Sequence, residues 1–258
     1  MRQVLQTWVL SRIRNGVNIM ETQSDRLGNS KVQGFFEQWN LYRKIIINNY
    51  MFHSEITHVL NKFFLGHFKH PFNVLDLGCG DSHTAFHSLI GTNIVSYAGI
   101  DLSGAALDFA RQNMENLNIK KEFIQSDFFT VLDGIEHNYD VIQIGYSMHH
   151  LTYEDKRTLL DKCFCNLGSS GVLLLYDICR KDKESRYKYL ARYWKDCKKL
   201  WRNLDSSELN LLHNHIYNSD FPESLNTLKG FVHESGFTKV EILFRDEAGY
   251  YFLMCCCR

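Results

Sequence analysis

A chain of 258 residues, 45% of them hydrophobic, can bury a substantial core as one large domain or one domain with an appendage. Its 29 basic and 29 acidic residues cancel, so no net field draws it to nucleic acid or an anionic membrane. Two prolines and no low-complexity tract argue against a disordered chain, and no apolar run reaches the roughly 18 residues of a membrane span.

Residues 1–33 carry Arg2, Arg12 and Arg14, no acid before Glu21, and only a short apolar stretch at Trp8-Val9-Leu10. They read as an N-terminal tail; a targeting segment, or a true start at Met20, are the alternatives. Residues 34–70 read as a helical cap of two aromatic-rich helices, with Trp39, Tyr42, Ile46 and Tyr50 at helical spacing. Preceding the first strand, this cap belongs outside the sheet or over its edge.

Residues 71–258 form the main domain. Strands are expected at 72–77, 95–101, 121–127, 139–146 and 171–178. Helices are expected at 83–90, 103–116 (capped by Ser103) and 153–166 (capped by Thr152). Such alternation implies a parallel sheet with helices on both faces. The segment at about 180–220 breaks the rhythm. A helix follows at 222–236, closed by Gly236. In the last 22 residues two strands flank Asp246-Glu247-Ala248-Gly249, a turn too short for a crossover, so they form an antiparallel hairpin.

The glycine loop after the first strand is "NVLDLGCGDSHTAF", residues 73–86. A dinucleotide loop would place a third glycine where His83 stands. Asp76, Asp101, Asp127 and the stretch 145–150 all fall at strand ends, where a doubly wound sheet binds its ligand. Asp101, at the end of the second strand, can accept hydrogen bonds from ribose hydroxyls. Asp127 can reach a base's exocyclic amine. Asp76 places negative charge beside the loop, which suits a cationic ligand and opposes a pyrophosphate.

Taken in order, "VLDLGCGDS", "YAGIDLS", "FIQSDFF", "YDVIQIGYSMHHL", "GVLLLYDI" and the closing hairpin resemble a class I S-adenosylmethionine-dependent methyltransferase of small-molecule type. The resemblance implies a Rossmann-like, doubly wound α/β fold: a seven-stranded, mostly parallel sheet with an antiparallel C-terminal hairpin strand. It implies S-adenosyl-L-methionine as cofactor and S-adenosyl-L-homocysteine as product. Carried over by position, Asp76, Gly78 and Gly80 line the methionine portion. Asp101 holds the ribose with Leu102 beside the adenine, Asp127 and Phe128 meet the adenine edge, and Gly145 lies under the methionine. His149 and His150, after the fourth strand, are the candidate catalytic pair. Tyr42, Tyr50, His53 and Tyr146 are weaker candidates for the pocket wall.

Missing motifs narrow the acceptor. With Pro71 and Pro222 the sole prolines, neither an Asn/Asp-Pro-Pro-Tyr base-methylating motif nor a Pro-Cys nucleophile motif is present. An acid after the fourth strand, as in metal-dependent catechol enzymes, is also lacking. The expected reaction is therefore metal-free, in-line methyl transfer to N or O of a small metabolite. Eight cysteines without a CxxC pair read as reduced thiols in a cytoplasmic protein, and no metal is expected.

Residues 180–202 hold ten Lys/Arg against Asp182, Glu184 and Asp196. Tyr187, Leu190, Trp194, Cys197 and Trp201 recur at helical spacing, so this is an amphipathic helix with a basic face. As a lid over the strand ends it would favour an anionic acceptor. RNA or protein docking through this face is the alternative, with nucleic acid disfavoured by the neutral charge. A cofactor-binding module without turnover is another. The sequence is silent on oligomeric state.

Overall fold

The computed structural model describes residues 39–134 and 138–258, with the side chains of Trp39 and Asn40 set aside; the readings for residues 1–33 lie outside them. Helices α1 (Trp39–Ile47) and α2 (His53–His67) precede strand β1 (Phe72–Leu77). Then follow α3 (His83–Leu89), β2 (Ile94–Asp101), α4 (Gly104–Asn113), β3 (Lys120–Gln125), α5 (Phe128–Gly134) and β4 (Tyr139–Gly145). A 3₁₀ turn at Met148–His150 leads into α6 (Tyr153–Asn166) and β5 (Leu167–Ile178). The chain closes with α7 (Arg186–Leu200), α8 (Ser206–Ser219), α9 (Leu225–Glu234), β6 (Lys239–Arg245) and β7 (Tyr251–Cys257).

The seven strands form one sheet in the order β3-β2-β1-β4-β5-β7-β6. β1 to β5 run parallel, and β7 is antiparallel to both neighbours, β5 and β6. The reversal is set locally. Asp246 Oδ1 accepts from Tyr251 N at 2.6 Å, and Gly249, at φ +71°, donates to Asp246 O at 3.1 Å. So short a turn can only return the chain beside itself. The sheet and hairpin are those expected from the sequence.

Central strands are apolar on both faces because helices cover both. In β5, Val172, Leu174, Tyr176 and Ile178 pack with α1, α2, α3, α7 and α8, while Leu173 and Leu175 pack with α5, α6 and α9. Ser103 caps α4 by accepting from Ala106 N at 3.2 Å, and Thr152 caps α6 by accepting from Asp155 N at 3.2 Å. The helix expected from residue 222 starts at Leu225, capped by Ser224. Glu223 is instead held by Arg180, 2.8 Å away.

The 180–220 segment contains two helices, and the apolar face of α7 differs from the predicted stripe. Tyr189, Leu190, Tyr193 and Cys197 are buried, whereas Tyr187 is 76% exposed. The face turns because Tyr193 and Tyr251 share a hydroxyl–hydroxyl bond of 2.7 Å while Tyr250 donates to Asp196 at 2.7 Å. Lys181, Lys183, Lys188, Lys195, Lys198 and Lys199 face solvent. α1 crosses above the strand ends, burying Leu41 and Ile45, and Tyr50 beyond its end stacks on Trp201 beyond α7 (5.0 Å between centroids, 4° between planes).

Candidate active site

β1 ends in a loop that turns tightly because Gly78 and Cys79 both donate to Ile100 O, at 2.8 and 2.9 Å. Gly78 has φ +72°, and a Cβ there would overlap Ser147. Only glycine meets both demands. Gly145 answers a different one: a Cβ there would collide with the Tyr176 ring, which lies directly on it. Between these loops lies a cleft. Asp76, Gly78, Gly80, Asp101, Gly145 and Ser147 line it from the sheet, Asp81, His83 and Thr84 from the start of α3, and Tyr42, Ile46 and His53 from the N-terminal helices. Tyr146 and Tyr176 complete its wall.

Two buried acids dominate its electrostatics. Asp101 Oδ2 accepts from Gly80 N and Oδ1 from Ser103 N, each at 2.8 Å, so the acid fixes the glycine loop while its remaining lone pairs stay available. Asp76 Oδ2 accepts from Tyr97 OH at 2.7 Å and Gln143 Nε2 at 3.2 Å, and Tyr97 in turn shares a 2.9 Å bond with Ser82. Burial lifts Asp76 to about 7 despite those bonds, and among the described residues no Lys, Arg or His pairs with it. Such a carboxylate is short of a cation.

The opposite wall is aromatic and uncharged. Burial holds His53 down at about 3. Its Nδ1 meets Thr84 Oγ1 at 3.3 Å, and its buried Nε2 makes no hydrogen bond. Its ring packs edge-on to Tyr146, whose backbone is left-handed at φ 50° and whose hydroxyl donates to Met51 O. A tyrosine held at positive φ beside a cleft is a strained position retained at a site.

Residues 74–171 match a family of methyltransferase domains. A carboxy-S-adenosyl-L-methionine synthase from Chromohalobacter salexigens is 22% identical over 92% of this chain and 87% of its own length. A phosphoethanolamine N-methyltransferase from Plasmodium falciparum is 32% identical over 34% of this chain and 32% of its own. Among solved structures, an O-methyltransferase family protein from Burkholderia thailandensis shares the fold with a TM-score of 0.64, at 15% identity, over 99% of this chain and 70% of that one. Over residues 74–171 the chain matches a methyltransferase domain, and its relatives and fold support a class I S-adenosylmethionine-dependent methyltransferase.

The donor set of this methyltransferase fits its cofactor, S-adenosyl-L-methionine. A buried carboxylate without a counter-ion suits the ligand's ammonium and sulfonium charges. A strand-end acid with spare lone pairs suits its ribose. A loop without side chains at 78 and 80 admits close approach.

Not every expected residue meets that cleft. Leu102, Asp127 and Phe128 are not on the lining just described. Phe128 does approach Gly78, its Cζ 3.3 Å from where a Cβ would stand. Asp127 is engaged locally: Oδ1 accepts from Phe129 N and Thr130 N at 2.9 and 3.0 Å, and Oδ2 from the Thr130 hydroxyl at 2.6 Å. In the methyltransferase as described it caps α5.

His149 and His150 also stand off the cleft wall. His149 N donates to Asp177 Oδ2 at 2.9 Å, and its Nδ1 is bonded to Asp177 Oδ1. Its Nε2 faces Asp220, which ends α8. Burial opposes charge on His149, but Asp177 and Asp220 outweigh it and hold its pKa above the ordinary value. Burial lifts Asp220 to about 7. The sequence reading passed over Asp177 and Asp220 here, and Ser82, Tyr97 and Gln143 behind Asp76. Tyr97 carried a legible signal, since a tyrosine on an inward strand position needs a partner for its hydroxyl.

Proposed function

We propose that the protein methylates N or O of a small metabolite by direct in-line displacement within this cleft, with Asp76, Gly78 and Gly80 holding the methionine portion of the cofactor, Asp101 its ribose and Gly145 the floor beneath. The observation that carries this reading is the buried, cation-deficient Asp76 beside a glycine loop pinned by Asp101. The cofactor supplies an activated methyl on a sulfonium. The chain's residues align the acceptor and exclude water.

His53 is the acceptor-facing candidate. Kept neutral, its unpaired Nε2 can accept a hydrogen bond from an incoming N–H or O–H. Held neutral by burial, it is a weak base, so its part is to orient the acceptor through that hydrogen bond rather than to carry off its proton. Adenine contacts by Leu102, Asp127 and Phe128 would lie beyond the described lining of the cleft. His149 and His150 would act on an acceptor only from behind the described wall.

The exposed lysines of α7 supply no cation to the cleft, whose described lining holds Asp76, Asp81 and Asp101 and no Lys or Arg. A neutral or cationic acceptor group fits that wall better than a carboxylate or phosphate, whose counter-charge would have to come from the basic face of α7. The same argument counts against making carboxy-S-adenosyl-L-methionine, because the added carboxylate would find no cation there. A small-molecule partner in the cytoplasm accords with eight cysteines that form no disulfide. No helix among the described residues is long and apolar enough to cross a membrane.

The test is a methyl-transfer screen against a metabolite extract with labelled cofactor, identifying the labelled product by mass. Label recovered in a small molecule is the expected result. Label confined to RNA or protein would replace this reading with docking through residues 180–202. Calorimetric silence toward both S-adenosyl-L-methionine and S-adenosyl-L-homocysteine would overturn it.

A further inference from the structure

Beyond the methyl-transfer cleft, three histidines converge on one carboxylate oxygen. Asp220 Oδ1 lies 3.7 Å from His149 Nε2, 3.6 Å from His150 Nδ1 and 3.5 Å from His215 Nε2. Asp220 is 3% exposed, and that oxygen accepts no hydrogen bond. One ring nitrogen from each of His149 and His150 and one Asp220 oxygen lie within 4.8 Å of one another; His150 Nδ1 also donates to Ser219 O at 3.1 Å, so this ring would ligate through Nε2 or by giving up that bond.

These separations discriminate between two explanations. A charged histidine bridging two acids would sit about 2.7–2.9 Å from each. His149 is hydrogen-bonded to Asp177, yet leaves Asp220 beyond hydrogen-bond reach. Ligands bound to one metal at about 2.0–2.1 Å, subtending tetrahedral to trigonal angles, stand roughly 3.3–3.6 Å apart. The observed spacings fall at and just beyond that range. The tautomer agrees as well. An ionised carboxylate only accepts, so Asp177 keeps a proton on His149 Nδ1, and a metal ion would take the place of the proton on the Nε2 that faces Asp220. A carboxylate behind the far nitrogen of a histidine is how proteins orient imidazole ligands.

We propose that His149, His150 and Asp220, with His215 beside them and Asp177 orienting His149, bind one divalent first-row transition-metal ion of the zinc or ferrous type. Imidazole nitrogens with one carboxylate suit that class, whereas calcium and magnesium take oxygen ligands. The ion would fasten the end of α8 to the strand ends of β4 and β5. His149 follows Ser147 of the cleft wall by two residues, so bound metal would also stiffen that wall. The sequence reading expected no metal; the ligands arise from two regions about seventy residues apart, and neither shows a recognisable motif alone.

The test uses the full chain stripped with a chelator, then titrated with Co²⁺ alone and with Zn²⁺ alone. The expected result is one equivalent of Co²⁺ with visible ligand-field bands that Zn²⁺ displaces, and a raised melting temperature with either ion. Asp177→Asn should weaken Zn²⁺ binding about 10–100-fold, the usual cost of losing an orienting partner. Asp220→Asn should abolish the bands. His83→Gln should leave them unchanged, which separates this site from the His83–His87 pair on α3 (rings 4.5 Å apart). Should Asp220→Asn fail to fold, the wild-type titration decides alone. No bands and no retained metal in the wild type, or full binding by a folded Asp220→Asn, would overturn the proposal. Neither result depends on turnover, so methyl transfer stands or falls separately.

Discussion

Asp101 is the residue on which the glycine loop and the proposed ribose contact both depend. Asp101→Ala removes the acceptor for Gly80 N and Ser103 N together with the ribose partner. Cofactor binding should weaken by about 1.5–3 kcal/mol in calorimetry, the scale of hydrogen bonds to a charged group; unchanged affinity would mean the ribose lies elsewhere. Asp76 makes a pH prediction. Its pKa in the folded, unliganded protein is about 7 against an ordinary 3.8. The folded state therefore binds the proton more tightly than the unfolded state does. The stability this contributes is fully present below about 3.8 and is lost as pH rises through 7. A cationic ligand reverses the preference by favouring the carboxylate. Cofactor affinity should fall about tenfold per pH unit below 7 and level off above it. The melting-temperature gain from cofactor should accordingly be larger at pH 8 than at pH 5.5. Asp76→Asn should flatten both profiles.

Among the elements, β5 carries the packing. Leu174 is fully buried at the centre of the sheet, where the N-terminal helices and α7 meet it. Leu174→Ala should cost about 2–5 kcal/mol of unfolding free energy, read by denaturant titration. Ser103→Ala removes a buried cap and should cost about 0.5–2 kcal/mol on the same measurement. Both elements were legible in the sequence, for a local reason: an uninterrupted apolar run bounded by turns, and a serine before a helical pattern, each act on neighbouring residues. The turned face of α7 was not. Tyr187 and Tyr189 are equivalent by spacing, and the choice was made by Tyr250 and Tyr251 of the closing hairpin, more than fifty residues away. The cleft divides in the same way. Asp76, Gly78, Gly80, Asp101 and Gly145 follow from strand ends and loop geometry and do share one cleft. Tyr42, His53 and Tyr176 joined its wall through tertiary packing, and the ring of histidines around Asp220 required α8 to fold back onto the end of β4.

On the scale of the whole molecule, zero net charge hides a division: the cleft is lined by acids and the outer face of α7 by lysines. If that face only solvates α7, replacing Lys195, Lys198 and Lys199 with glutamate should leave cofactor affinity unchanged in calorimetry. If it docks RNA, the same variant should lose a salt-dependent RNA affinity that the parent possesses, read by titration at two ionic strengths.

The stack of Tyr50 on Trp201 has a kinetic meaning. Tyr42 and Ile46 of α1 form part of the cleft wall, while Tyr50 beyond the same helix is pinned to the insertion and Met51 O is held by Tyr146. If cofactor exchange moves α1 relative to the insertion, the Tyr50–Trp201 stack is the contact that has to open. In that case the fluorescence of the indole at 201 should change on cofactor mixing at the rate of exchange, and a signal indifferent to cofactor would place the entry elsewhere.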